Sequence, residues 1–565
     1  MRRRLNPAGE TPNVGVPARL AVDMTVAEQQ DWVAAFLRSR PVSRRSALRG
    51  AAGLLAGWGL GPMLAGCGSK HASSAGLSLV GRRLSFGADP RTQMAIAAEL
   101  TGKPTGPVMV EVGPTAGAGI RSEAEVRHLM SMVPQEDGSI RAVEQYFVHH
   151  RSDQLQGGQT YHYRLLLPDG TATPDATFTT APAAGARTAF TFTAFGDQGV
   201  NTGSSLLAGF NDDYYKPDDT QRAAQPASAL VALLAARKPA FHLLAGDICY
   251  ADPSGTGLPI KNNAPNSADA GFNNFDPTTW TTYFAGIEAS ASTTPWMFAT
   301  GNHDMEALYN DSGVGHGYGG HALRLDLPGN GPSNCPSVYA FTYANLGVLS
   351  LDANDLSTEI KTNAGYSGGA QIAWVRQRLR ALRQDASIDF IVAFFHHCAF
   401  ATSSTHASDG GVREALAPLF DEFSVDLVIQ GHNHQYERTN PIRKNKSTRE
   451  AADGATIRPV HDGTTYICAG SGGRPRYSWQ PNETDHYRGS PGRDSARTVT
   501  SFLNTADGQK TPETVDWSQA RYLGYAFLNV DVTPGQPGRD STMVVRAITD
   551  QNVEIDKVTL IRTAG

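Results

Sequence analysis

Phe241-His242-Leu243-Leu244-Ala245-Gly246-Asp247-Ile248-Cys249-Tyr250 decides the reading of this chain. Its first five residues form a short, mostly apolar strand. The strand stops at a Gly-Asp turn, and a phenol follows three residues later. Ligands in open α/β sheets gather at strand carboxyl ends, so an acid in this place is a candidate ligand as well as a turn former. The same arrangement recurs. Thr191-Phe192-Thr193-Ala194-Phe195 runs into Gly196-Asp197-Gln198-Gly199, and Gly301-Asn302-His303-Asp304 follows another strand. Phe390-Ile391-Val392-Ala393-Phe394-Phe395 is a continuous apolar run, hence a central strand, and ends at His396-His397. Val425-Asp426-Leu427-Val428-Ile429 leads to Gly431-His432-Asn433-His434. Any one of these is weak, because an Asp after a strand is usually a cap or a turn. Five in this order form a joint signal.

Between these strands the period changes. Residues 227–238, 370–384 and 412–423 read as helices, with Ile372, Val375, Leu379 and Leu382 on one face. The C-terminal part reads as β, over 525–532, 543–548 and 553–560. Residues 83–87, 108–113 and 161–167 alternate as strands, the last stopping at Pro168-Asp169-Gly170, so a β-sandwich is expected from about 77 to 180. A linker of small residues follows. His149 and His150 stand alone and read as ordinary core or surface histidines.

The 565 residues suit two or three domains. A hydrophobic content of 40% and a charged content of 18% exclude a disordered polyampholyte. Lys plus Arg number 49 against 54 acids, a net −5, so no global basic patch and no nucleic-acid partner is expected. Five cysteines exclude a disulfide scaffold or a multi-zinc ribbon. Ser43-Arg44-Arg45-Ser46-Ala47-Leu48-Arg49 reads as a twin-arginine export motif, followed by a small-residue apolar stretch that ends in Leu64-Ala65-Gly66-Cys67. That tetrapeptide resembles a bacterial lipobox. Residues 1–66 are therefore expected to be a signal peptide. The protein is expected to be periplasmic or at the cell surface, with a lipid anchor at Cys67 as its membrane contact. Twin-arginine export carries folded proteins, which fits metal loading before export.

The residue types explain one another. Two metal ions roughly 3.5–4 Å apart clamp a phosphoryl group and activate water. Hard cations take carboxylate, phenolate, amide oxygen and imidazole. His432 and His434 alternate along an extended segment, so each is expected to serve a different metal. The five motifs together resemble the calcineurin-like metallophosphoesterase superfamily. Tyr250, three residues after Asp247, narrows the resemblance to the purple acid phosphatases. It extends over 431–439, Pro441 and Gly524-Tyr525, and residues 157–164 resemble a late strand of a fibronectin type III-like domain.

The resemblance implies a fibronectin type III-like β-sandwich at 75–182. After it comes an α/β metallophosphoesterase domain at 187–565, two mixed sheets packed as a sandwich flanked by helices. It implies that Asp197, Tyr250 and His434 hold Fe(III), that Asp247 bridges, and that Asn302, His396 and His432 hold a second, divalent metal: Fe, Zn or Mn. His303 would contact phosphate or donate a proton, oriented by Asp304, and His406 is a second candidate acid. The function implied is acid hydrolysis of small-molecule phosphate monoesters by a metal-bound hydroxide. A phosphodiesterase, nucleotidase or phospholipid-cleaving enzyme on the same core is the alternative. The family usually has Pro two residues after the fourth-motif His, where this chain has Cys398. That leaves His396 and His397 both open as the ligand, with strand geometry and the family pattern favouring His396. A disulfide between Cys335 and Cys468 stays open. The loops 201–219, 253–279, 308–333 and 472–519 supply Tyr214, Tyr215, Tyr309, Tyr318, Arg474 and Arg476 as possible substrate contacts.

Overall fold

The computed structural model describes residues 76–134, 140–182, 186–200, 226–252, 255, 276–306, 316–361, 363–474, 476–477, 499–505 and 509–565. The expected signal peptide, Cys67, Tyr214, Tyr215 and Tyr309 lie outside the described residues. So does most of 253–275. Among the described residues no helix is long and apolar enough to cross a membrane.

The first eight strands form two antiparallel sheets. One has the order Leu79–Phe86, Met94–Leu100, Ile140–Ser152, Glu125–Pro134. The other has the order Ile120–Glu123, Met109–Gly113, Thr160–Leu166, Ala176–Thr179. Alternation puts Tyr163 and Leu165 inward with Phe86, Ile96 and Val148 of the facing sheet, so a β-sandwich stands where the sequence predicts one. Its likeness to a fibronectin type III domain stays an expectation from residues 157–164.

The rest of the chain builds two seven-stranded mixed sheets. The first runs Trp296–Phe298, His242–Leu244, Phe190–Phe195, Ala526–Thr533, Asp540–Thr549, Glu554–Thr563, Thr456–Ile457. The second runs Tyr339–Tyr343, Leu346–Ser350, Phe390–Phe395, Leu427–Gln430, Thr465–Ala469, Tyr436–Thr439, Ser518–Tyr522. Phe192, Leu243 and Leu528 of one meet Val348, Val392 and Ile429 of the other in a shared core. Helices Pro226–Arg237 and Thr278–Ala291 pack on the first sheet, and Ala370–Gln384 and Gly410–Glu422 on the second. The strands that precede the five motifs are parallel within each sheet, so their carboxyl ends share one edge of the sandwich.

The structure corrects the sequence at several elements. Helix Thr278–Ala291 begins inside the expected loop 253–279. Strands Val499–Asn504, Lys510–Val515 and Ser518–Tyr522 lie in or start within the expected loop 472–519. Each takes its pairing from a distant or adjacent strand rather than from a strong local pattern.

The β-sandwich docks through its first strand onto helix Thr278–Ala291. The Gly81 N–H donates to Glu288 Oε2 at 2.8 Å, Arg82 pairs with Glu288 at 2.9 Å, and the Arg83 guanidinium lies 3.7 Å over the Phe284 ring. Further along, His149 is buried and holds Asp326 at 2.8 Å and the Leu323 carbonyl at 2.8 Å.

Candidate metal centre

Each proposed ligand stands just past a strand, where the chain must turn. Four do so with left-handed backbone: Asp197 (φ 58°), Asp247 (φ 51°), Tyr250 (φ 60°) and His432 (φ 66°). That region costs a side-chain-bearing residue about 1–2 kcal/mol, and such strain collects at functional sites. At His432 it also corrects the expected cause of the histidine split. His432 and His434 do serve different groups, but through a left-handed turn rather than the pleat of a strand.

The side chains converge in two sets that share Asp247: Asp197, Asp247 and His434 in one, Asp247, His396 and His432 in the other. Within the first set the Tyr250 hydroxyl lies 3.2 Å from Asp197 Oδ1 and 3.0 Å from His434 Nε2. In the second, His396 Nε2 faces Asn302 Oδ1 at 3.0 Å, Asp247 Oδ2 at 3.2 Å and His432 Nδ1 at 3.3 Å. His396 Nδ1 donates to the Ala245 carbonyl at 2.9 Å, which leaves Nε2 as the lone-pair nitrogen of the neutral ring. The Asn302 amide donates to the Gly255 carbonyl at 2.8 Å, which aims its oxygen inward. Lone pairs therefore meet lone pairs, an arrangement that a cation satisfies. The donor set, two carboxylates, three imidazoles, an amide oxygen and a phenol, fits two hard metal ions.

Charge points the same way. Burial pushes Asp197 up to about 8, with the neighbouring charge of Asp247 adding to it. His396 is held up to about 10: burial works to lower it, but Asp247 and Asp197 prevail, so the two acids draw a proton onto Nε2, and a metal bound there would replace that proton and use the lone pair. Two buried acids this close call for positive charge between them. Burial, then His406, pulls His432 down to about 3, so its ring is neutral and fit to ligate.

The surrounding residues sort as follows. The His303 N–H donates to Asp247 Oδ1 at 2.9 Å, its ring lies 4.3 Å from Tyr250, and Asp252 O holds Nδ1 at 2.8 Å. Burial pulls it down to about 4. Asp304 accepts from the backbone of Ile248 at 2.8 Å and of Gly301 at 2.7 Å, so it clamps the turn that carries His303 rather than the ring expected from the sequence. The His406 ring is 4.0 Å from that of His432. His397 is fully buried against His432 at 4.2 Å, with no hydrogen-bond partner for either ring nitrogen, which leaves His396 as the residue in the cluster. Arg474 lies 4.0 Å over the Tyr250 ring. Arg476 donates instead to the Leu523 carbonyl at 2.7 Å, and Tyr318 is buried with Met305 and Ile360. Cys249, Cys335, Cys398 and Cys468 are buried free thiols, so the open disulfide does not form. The Cys398 thiol, where the family has Pro, donates to the Gly431 carbonyl at 3.0 Å under the histidine turn.

Two residues at the site escape the sequence motifs. Glu359 bonds both His406 and His432, and Tyr477 stacks on His434 at 4.0 Å. Both arrive from loops whose local sequence carries no pattern.

Residues 217–436 match the calcineurin-like phosphoesterase family model, a span with every proposed ligand except Asp197. An uncharacterised protein of Mycobacterium tuberculosis is 29% identical over 479 residues, 81% of this chain and 81% of its own length. Purple acid phosphatase 21 of Arabidopsis thaliana is 28% identical over 207 residues, 36% of this chain and 40% of its own. In fold, the chain is similar to a purple acid phosphatase isolated from yellow lupin (Lupinus luteus) seeds. That match has a TM-score of 0.58 and 18% identity, and covers 86% of this chain and 75% of that one. Residues 217–436 thus match the calcineurin-like phosphoesterases, and the chain is similar to purple acid phosphatases in part of its sequence and in its fold.

Proposed function

We propose that the chain is an exported phosphatase that hydrolyses phosphate monoesters at a dinuclear centre, Fe(III) beside divalent Fe, Zn or Mn. The observation that carries this reading is the division of the buried lone pairs into two sets that share Asp247, with the Tyr250 phenol on one side alone. A phenolate is a hard anionic donor, suited to a trivalent cation. Two cations held there supply Lewis acidity and a lowered water pKa. The geometry supports a part for each of the protein's own residues. Asp247 ties the two sets together, and Asn302 keeps an amide oxygen on the second. His303 lines the first side beneath Tyr250, and His406 stands on the second side, beside His432, where a departing alkoxide needs a proton. Export rests on the twin-arginine motif at 43–49, with acylation at Cys67 as the proposed anchor. The test is turnover of 4-nitrophenyl phosphate against bis(4-nitrophenyl) phosphate by metal-assayed protein at acid pH. Monoester preference is expected. Preferred cleavage of the diester would move the protein to the phosphodiesterases.

A further inference from the structure

Glu359 belongs to none of the five motifs, yet its carboxylate bridges two imidazoles. Oε2 lies 3.1 Å from His432 Nε2, and Oε1 lies 2.8 Å from His406 Nδ1. A carboxylate accepts, so both of those nitrogens carry protons. On His432 this leaves Nδ1 with the lone pair, and Nδ1 is the atom that faces His396 and Asp247. On His406 it leaves Nε2 as the outward nitrogen, 3.3 Å from the Tyr477 hydroxyl.

Glu359 is itself held. Asp409 accepts from Ser357 Oγ at 2.6 Å and from the Thr358 N–H at 3.1 Å, and the Glu359 N–H donates to Ser357 Oγ at 3.0 Å. Asp409 also caps the next helix through the Val412 N–H at 3.0 Å, so the loop is pinned to a rigid element.

We infer that Glu359 is a positioning residue that sets two rings at once: His432 toward the second metal and His406 toward the leaving group of the ester. The His406 half rests on the phosphatase reading, whereas the His432 half needs only metal binding. As a water oxygen forms its bond to phosphorus and gives up its proton to solvent, the P–O bond to the leaving group breaks; that bond's electron pair goes to the leaving oxygen, which takes the second proton, on Nε2, of the doubly protonated His406 ring. His406 stays as neutral imidazole with Nδ1–H on Glu359, and solvent water returns the proton.

The test is Glu359→Gln in the full, metal-loaded chain. Phenyl phosphate has a leaving group that needs a proton, and 2,4-dinitrophenyl phosphate has one that leaves as a stable anion. The ratio of kcat on the first to kcat on the second is expected to fall about 100-fold. The Kd for Zn2+ at the second position, from equilibrium dialysis without substrate, is expected to rise about 10-fold or more. A ratio or a zinc affinity within about twofold of the unaltered protein overturns the inference. Glu359→Ala guards against a folding defect: added acetate should restore part of the ratio, and no restoration in a folded variant overturns the His406 half. If the unaltered protein turns over neither ester, the phosphatase reading fails, and the zinc Kd still judges Glu359.

Discussion

At the level of single residues, His396 and His397 are neighbours with opposite surroundings. His396 Nε2 faces Asn302, Asp247 and His432 at 3.0–3.3 Å, whereas His397 lies buried with neither ring nitrogen bonded. His396→Ala is therefore expected to remove the second metal and cut kcat by more than the about 10–100-fold typical of losing an outer partner. His397→Phe should keep the metal and act on stability alone. Metal analysis of both variants checks the pair, and metal loss in His397→Phe would contradict it. Asp247→Asn should lose both metals together, because its carboxylate is common to the two sets. The residues legible in the sequence are those that follow an apolar strand, and Asp197, Asp247, Asn302 and His432 also have a glycine beside them. Glu359 and Tyr477 were not legible: their side chains reach His432 and His434 from loops, and nothing in their neighbours marks that approach.

Among the elements, the five strands that carry the motifs were readable because their burial makes them mostly apolar, Phe390–Phe395 without a break. Their pairing was not. Ser518–Tyr522 joins Tyr436–Thr439 across a long stretch of chain, and Leu79–Phe86 is laid against helix Thr278–Ala291, for which the sequence shows no partner. That contact has a specific requirement at Gly81, which has φ 65° and whose missing side chain would strike Phe284. Gly81→Ala is expected to destabilise the protein by about 1–3 kcal/mol through backbone strain and overpacking. Denaturant titration measures this, and an unchanged midpoint would contradict the docking described. The Asp409 cap is a second test of an element, since Asp409→Ala should cost about 1 kcal/mol and also loosen the loop that bears Glu359.

For the molecule as a whole, the β-sandwich and the metallophosphoesterase sheets share one core, bound together by buried polar contacts as well as apolar ones. His149 and Asp326 form one of these contacts. Burial works to raise Asp326, but the hydrogen bond from His149 and the charges of Arg127 and Arg151 hold it well below the usual carboxylate range. A depressed acid stabilises the fold fully above its unfolded pKa of about 3.9 and loses that stabilisation as pH falls toward the folded value. Burial likewise lowers His149, so its share is present above about 6.5 and fades on acidification. Asp326→Asn is thus expected to cost about 1.5–3 kcal/mol near neutral pH, with the gap to the unaltered protein closing below about pH 4. Unfolding measured across that range checks the sign. A gap that widened in acid would contradict it.

The central claim is that Tyr250, Asp197 and His434 hold Fe(III) beside a second metal, with Asp247 shared between them. The most direct measurement is a visible absorption spectrum of the purified protein, with metal analysis on the same sample. Two metal ions per chain and a broad green-to-yellow absorption band that disappears in Tyr250→Phe would fulfil the claim. A colourless protein with two zinc or manganese ions and no iron would contradict the Fe(III) assignment while leaving the dinuclear site in place.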